Sequence, residues 1–305
     1  MVKRHYDNSE LLNYVERDKE TKTLEGKEIL MHFDSFCLGD TICFSSFIDP
    51  FLEYHKPKKV LISTFFPFLF QSKDPRYEFI NANQKKEIIV DKLLDVGYDK
   101  NSLEDTLGGM FYATKRTMWL PQDTKPGKCP VIPYKRNVIK NKITIAPESL
   151  KEIAQWNYSG NTGWQQVVDD IVNSGFKVSN VSYENTMNLK NVNGVHGNKD
   201  IRISLFEILE SRLFVGLSSG LAWLAWAYGV PVVMISSFTK SHNEFDCFRV
   251  VNPHSCSGCF NTFQNIKTKC PLFLGTEREN ECHKTITPKM VIDKINEVLL
   301  FTKDK

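Results

Sequence analysis

From Lys142 to Ser236 the sequence alternates short β-rich apolar runs with segments of helical periodicity, and this alternation restricts the fold more than any other feature. "KITIAPES" (142–149) reads as a strand ending in a loop. "GWQQVVDDIVNSG" (163–175) sets its apolar residues on one helical face and stops at a glycine. "FKVSNVS" is a strand, "SLFEILESR" a helix, "LFVGL" a strand, "SGLAWLAWAYG" a helix and "VPVVMIS" a strand. Strands joined through helices pair in parallel, so the pattern predicts an α/β domain.

The same pattern opens the chain. "KEILMHF" (27–33) is a strand, and "FDSFCLGD" a turn holding Gly39. A helical stretch from Asp40 to about Tyr54 is bent or restarted at Pro50, and "KKVLIST" (58–64) is the next strand. "RYEFINA" and "KEIIVDKLL" continue the alternation. Asp105–Asn141 interrupts it: "WLPQDTKPGKCPVIPYKRN" carries four prolines without periodicity and reads as the connection between two halves. "TPKMVIDKINEVLLF" (287–301) closes the chain as a helix, with Thr287 as N-cap and Pro288 in the first turn. At 305 residues, two domains are expected: 27–135 and 136–305, preceded by an extension over 1–26. Two Rossmann-like domains facing a cleft would present ligand-binding loops at the carboxyl ends of their strands. That layout resembles the GT-B glycosyltransferases.

The formal net charge of +3, with lysines scattered, gives no argument for nucleic-acid binding. The polar first 20 residues contain no signal-peptide core. The most apolar segment, Leu213–Ser237, is broken by Gly216, Gly229 and Pro231, so no membrane insertion is expected. A cytoplasmic location follows as the expectation, and there clustered cysteines bind metal more often than they pair. Four of the chain's 8 cysteines fall in the last sixth: Cys256-x2-Cys259, then Cys270 and Cys282. The two-residue spacing lets one turn supply two ligands to a tetrahedral ion. A metal finger over 252–283 is therefore predicted. Its closed sulfur shell makes the ion structural, and iron and zinc both suit it. His254 and His283 are spare ligands, while Cys37, Cys43, Cys129 and Cys247 are read as buried small hydrophobes or free thiols.

Three further stretches offer chemistry. In "FVGLSSGLAW" a strand runs through Ser218, Ser219 and Gly220 into a helix, whose free N–H groups suit a diphosphate. The same residues serve equally as an ordinary serine-capped turn. Trp223 and Trp226, three apart on that helix, are expected in the core. Asp40 follows Gly39 where a helix begins, placed to accept a proton from an acceptor hydroxyl or merely to cap the helix. "APESLKEIAQWN" offers Glu148, Ser149 and Lys151 after a strand, and Lys151 would neutralise phosphate charge.

Taken together, "FDSFCLGDTI", "QWN…GW", "GLSSGLAWLAWAYGVPVVMIS", "EF…FRVVNP", the cysteine pair and "EC…ITPKMVIDKI" resemble the bacterial autotransporter heptosyltransferases, relatives of the ADP-heptose:lipopolysaccharide heptosyltransferases. The resemblance runs from about residue 27 onward and is densest between Ser218 and Ile292. It implies a GT-B fold, an acceptor domain followed by a nucleotide-sugar domain, and iron held by Cys256, Cys259, Cys270 and Cys282. It further implies heptose transfer from ADP-heptose to serine hydroxyls of an autotransporter, often by a ring-like homo-oligomer. On this likeness Asp40 is the catalytic base, Gly39 its neighbour in the motif, Ser218–Gly220 the donor-nucleotide region, and Glu244 and Phe245 lie near the donor pocket. Family members usually carry a basic residue where this chain has Gln155, with Lys151 or Lys240 able to compensate. They also carry an extra N-terminal domain, where about 26 residues precede the first strand here.

The expected function is thus an inverting glycosyltransferase with a nucleotide-sugar donor and a protein acceptor. The rivals are a transferase acting on glycan or nucleic-acid hydroxyls, an inactive nucleotide-sugar binding protein motivated by Gln155, and a zinc-ribbon interaction module.

Overall fold

The computed structural model describes residues 14–18, 20–83, 87–149, 154–156, 158–159, 162–184, 186–264, 266 and 269–302. The chain divides into two compact units. The first runs to Tyr98 and takes in Met110–Pro133; the second comprises Asp99–Gly109 and Tyr134–Lys305.

In the first unit β1 (Tyr14–Glu16) pairs in parallel with β5 (Ile88–Val90). A separate four-stranded parallel sheet has the order β4 (Tyr77–Asn81), β3 (Lys59–Thr64), β2 (Glu28–Phe33), β6 (Lys92–Val96). Ile29, Leu30, Met31 and Phe33 of β2 are all buried, as a strand covered on both faces requires. The segment "KEIIVDKLL" divides at Asp91 into β5 and β6 rather than forming one strand. The helical stretch after β2 likewise divides, into α1 (Leu38–Ser45) and α2 (Ile48–His55), with Pro50 tolerated in the first turn of α2. Phe44 of α1 meets Phe33 edge-on, ring centroids 5.4 Å apart.

Part of the proline-rich connection departs from expectation. Leu103–Thr117 is helical (α3), interrupted at Gly109 with φ 75. Each half is too short to display a periodicity of its own, and Gly108–Gly109 masks their continuity. Only glycine fits position 109: a β-carbon there would lie 2.7 Å from Oδ1 of Asn243, in a left-handed backbone that other residues resist.

The second unit is a six-stranded all-parallel sheet. In chain order its elements are β7 (Ile139–Ala146), α4 (Thr162–Asn173), β8 (Lys177–Asn180), β9 (Asn193–Gly194), α5 (Ile201–Glu210), β10 (Ser211–Leu217), α6 (Gly220–Ala227), β11 (Val232–Ile235) and β12 (Phe248–Val250). The short α7 (Glu281–Lys284) and the closing α8 (Pro288–Phe301) follow. The spatial order β9-β8-β7-β10-β11-β12 is the doubly wound arrangement 3-2-1-4-5-6. Its core joins Ile143, Ile145, Val215, Leu217 and Val233 of the sheet to Trp164, Val168, Val291 and Ile295 of the covering helices. Thr287 caps α8, accepting from the Met290 N–H at 3.3 Å, with Pro288 beginning the helix as its sequence requires. Among the described residues no helix is long and apolar enough to cross a membrane.

Candidate active site

An open parallel sheet binds ligands where neighbouring strands send their chains in opposite directions. In the second unit that point lies between β7 and β10, since the chain proceeds from β7 to β8 on one side and from β10 to β11 on the other. The carboxyl end of β10 carries Ser218, Ser219 and Gly220. Ser219 is the N-cap of α6 in extended conformation, yet its side chain makes no capping bond. Its hydroxyl oxygen is buried without a partner among the described residues. The turn is therefore not held by a serine cap of the usual kind, and the first N–H groups of α6 lack intrahelical acceptors.

The carboxyl end of β7 carries Glu148, a buried carboxylate. Its Oε1 accepts from the Thr186 N–H at 2.9 Å and from the Thr186 hydroxyl, while Oε2 has no partner among the described residues. Glu184 Oε1, Asn180 Nδ2 and His196 Nδ1 are likewise buried with no partner among the described residues. All of them follow or end strands of this sheet at its carboxyl edge. A buried polar atom without a partner costs about 1–3 kcal/mol, which ligand hydroxyls at these positions would offset. Ser149 offers its carbonyl to Nε2 of Gln155 at 2.5 Å, so Gln155 closes this loop on itself. Lys151 lies outside the described residues.

β11 leads into the third loop. Glu244, whose side chain is 0% exposed, accepts from Nε of Arg249 at 2.6 Å. It also accepts from the hydroxyls of Ser236, at 2.5 Å, and Thr239. Arg249 donates in turn to the Ser236 hydroxyl at 3.0 Å and the Thr239 carbonyl at 2.7 Å. The Thr239 hydroxyl also lies 3.4 Å from that of Ser218. Glu244 thus acts through the loop it organises beside Ser218. Nothing local in the sequence marks Arg249, Ser236 or Thr239 as its partners. Glu244→Ala, which strands the Arg249 cation, is expected to lower unfolding free energy by about 3–5 kcal/mol in urea titration. Phe245 is buried between Trp223 and Trp226, ring centroids 4.9 and 5.2 Å away. The tryptophans belong to this packing, as their helical spacing implied.

In the first unit the corresponding reversal lies between β2 and β6. Asp40 follows β2 and sits in the first turn of α1, whose N-cap is Cys37, not Asp40. Gly39 beside it is buried. The Ser35 hydroxyl donates to Oδ2 of Asp40 at 2.6 Å and accepts from the Cys37 N–H at 3.0 Å. Ser35 was missed in the sequence, although it lies in the same turn. This bond orients a half-exposed carboxylate.

Among the described residues no group of three or more histidine, cysteine or acidic side chains is arranged to hold a metal ion. The four finger thiols are nevertheless neighbours. Burial first, then the charge of the other cysteines, pushes the Cys259 thiol up to about 11 and the Cys282 thiol up to about 12. Burial likewise raises Cys256, helped by Glu281 and Cys270. Four soft sulfur donors of this kind are the donor set that a thiophilic cation would bind. The residues fit such an ion. His283 is buried, with its ring nitrogens 3.0 and 3.1 Å from the Ser237 hydroxyl; His254 is exposed. Of the remaining cysteines, Cys43 and Cys129 are buried and Cys37 is exposed.

No family model matches the chain. The autotransporter heptosyltransferase Aah of Escherichia coli is 29% identical over 295 residues, 88% of this chain and 73% of that protein. The inactive autotransporter heptosyltransferase BimC of Burkholderia thailandensis is 28% identical over 165 residues, 49% of this chain and 38% of its own length. Among solved structures, the iron-containing dodecameric glycosyltransferase TibC of enterotoxigenic E. coli superimposes with a TM-score of 0.80 at 23% identity, covering 93% of this chain and 79% of TibC. TibC is also known in complex with ADP-D-β-D-heptose. The E. coli ADP-heptose lipopolysaccharide heptosyltransferase II gives a TM-score of 0.56 at 11% identity, covering 90% of this chain and 99% of that one.

Two parallel α/β sheets and these relatives define a glycosyltransferase with the fold of the GT-B heptosyltransferases. Within that class, the chain is similar in sequence to the autotransporter heptosyltransferases Aah and TibC of Escherichia coli.

Proposed function

We propose that the chain transfers heptose from ADP-heptose to a protein serine or threonine hydroxyl by a single displacement that inverts the anomeric centre. The observation that carries this is the β7–β10 reversal, where the uncapped start of α6 and the unpartnered atoms of Glu148 and Ser219 come at the ends of adjacent strands. Helix N–H groups suit the diphosphate, and buried carboxylates suit sugar hydroxyls. The TibC complex with ADP-D-β-D-heptose supports the choice of donor.

In this scheme Asp40 takes the proton of the acceptor hydroxyl as that oxygen attacks the anomeric carbon. The electron pair of the breaking bond leaves with ADP, whose growing charge the first turn of α6 and Lys240 stabilise. Cys256, Cys259, Cys270 and Cys282 would hold one metal ion, with iron favoured by likeness to TibC and zinc suited to the same donors. Bound there, it would brace the finger; four sulfurs fill its shell. A cytoplasmic homo-oligomer, as TibC is dodecameric, completes the reading.

Incubation with ADP-heptose and an autotransporter passenger domain is expected to add heptose residues to the passenger, read by intact-protein mass. Transfer to a glycan or nucleic acid instead would reassign the acceptor. A second reading, donor binding without turnover, is favoured by Gln155, whose amide is spent on the Ser149 carbonyl. Release of ADP from ADP-heptose by the purified protein excludes it.

A further inference from the structure

The segment after β11 carries Lys240, and the turn of the first cysteine pair runs alongside it. The Gly258 N–H donates to the Ser237 carbonyl at 2.8 Å and the Phe260 N–H to the Phe238 carbonyl at 3.0 Å. The Lys240 N–H donates to Oδ1 of Asn261 at 3.0 Å. Asn261 is fully buried and anchored from the other side, its Nδ2 donating to the Thr106 carbonyl at 3.2 Å. Phe238 and Cys259 share an apolar cluster with Ala154. Turn and segment therefore move together.

Gly258 has φ 77, and a β-carbon on it would lie 2.5 Å from Cγ and 2.9 Å from Cε of Lys240. The lysine stem lies flat across the bare Cα of Gly258, between Cys256 and Cys259. Lys240 is exposed, and no carboxylate among the described residues pairs with its ammonium. The residue before it, Thr239, has its hydroxyl 3.4 Å from that of Ser218. A stem already laid down loses less rotamer freedom when its ammonium meets phosphate, so a platform raises affinity without adding a contact.

Resting on the donor site proposed above, we infer that the Cys256–Cys259 turn is the platform that aims Lys240 at the donor diphosphate, with Gly258 as a positioning residue. The finger then serves donor binding as well as stability, which explains why a cysteine turn is stitched to this particular loop.

Calorimetric titration of the full chain with ADP and with adenosine tests this. Lys240→Ala is expected to weaken ADP by about tenfold or more and leave adenosine unchanged, because only ADP presents charge. Gly258→Asn tolerates the left-handed backbone but adds a β-carbon. It is expected to weaken ADP by about threefold to tenfold, leave adenosine unchanged, and cost nothing further in a Lys240→Ala background. An equal loss from Gly258→Asn with and without Lys240 overturns the platform, as does unaltered ADP binding by Lys240→Ala. A wild-type chain that binds neither ligand overturns the donor reading and the platform with it.

Discussion

Asp40→Asn is expected to lower heptose transfer by about two to four orders of magnitude while donor affinity stays within about threefold. The substitution keeps size and hydrogen bonding but removes the basicity that a general base needs. Asp40 is not the N-cap of α1; Cys37 is. Its carboxylate is instead oriented by the Ser35 hydroxyl at 2.6 Å. A rival role remains physically sensible, since an acid in the first turn complements the helix dipole by about 0.3–1 kcal/mol. The two roles part cleanly in one experiment. If the carboxylate only complements the dipole, the variant melts slightly lower and turns over normally. If it is the base, melting barely moves and transfer collapses. Ser35→Ala should fall between, with a modest drop in kcat and little change in KM for the donor, because it frees the carboxylate without removing it.

Cys259→Ser is expected to remove bound metal and thermal stability together. Cys259 is buried in the cluster with Ala154 and Phe238, so its loss opens the finger at its root. An ion present at about a thousandfold over its Kd contributes ~4 kcal/mol to the folded state. In a unit of this size that corresponds to a Tm lower by about 10 °C. Metal analysis beside a thermal melt measures both. Cys37→Ser, at an exposed thiol outside the finger, is expected to keep its metal and its Tm. A Cys259→Ser protein that retains metal and melting temperature but loses transfer would overturn the structural assignment.

Much of the second unit was legible because its elements are long and differ in period. The alternation from β7 to β11 reads directly, as do the cap and proline that start α8. β9 and β12 escaped notice as elements, being two and three residues long, too short for any period to register. α3 escaped for another reason: Gly109 divides it, and the neighbour that leaves room only for a glycine there is Asn243, more than 130 residues later. The candidate site divides likewise. Ser218–Gly220 and Asp40 are visible because a strand, a glycine and a helix start occur in sequence. Arg249, the partner of Glu244, is not, because β12 reaches it only by pairing with β11.

By itself the sequence determined the class of the protein: parallel α/β halves, a serine-glycine helix start after a buried strand, an aspartate after another, and four clustered thiols. These are local patterns, set by the periodicity of burial and by backbone rules acting over a few residues. Only the tertiary structure decided which groups meet. Strand order placed the reversal between β7 and β10, burial left Glu148 Oε2 and the Ser219 hydroxyl without partners among the described residues, and the loop after β11 spent Glu244 on Arg249. It also laid Lys240 across Gly258. Such pairings join residues far apart in the chain, and their energies depend on desolvation, which exists only once the core has closed.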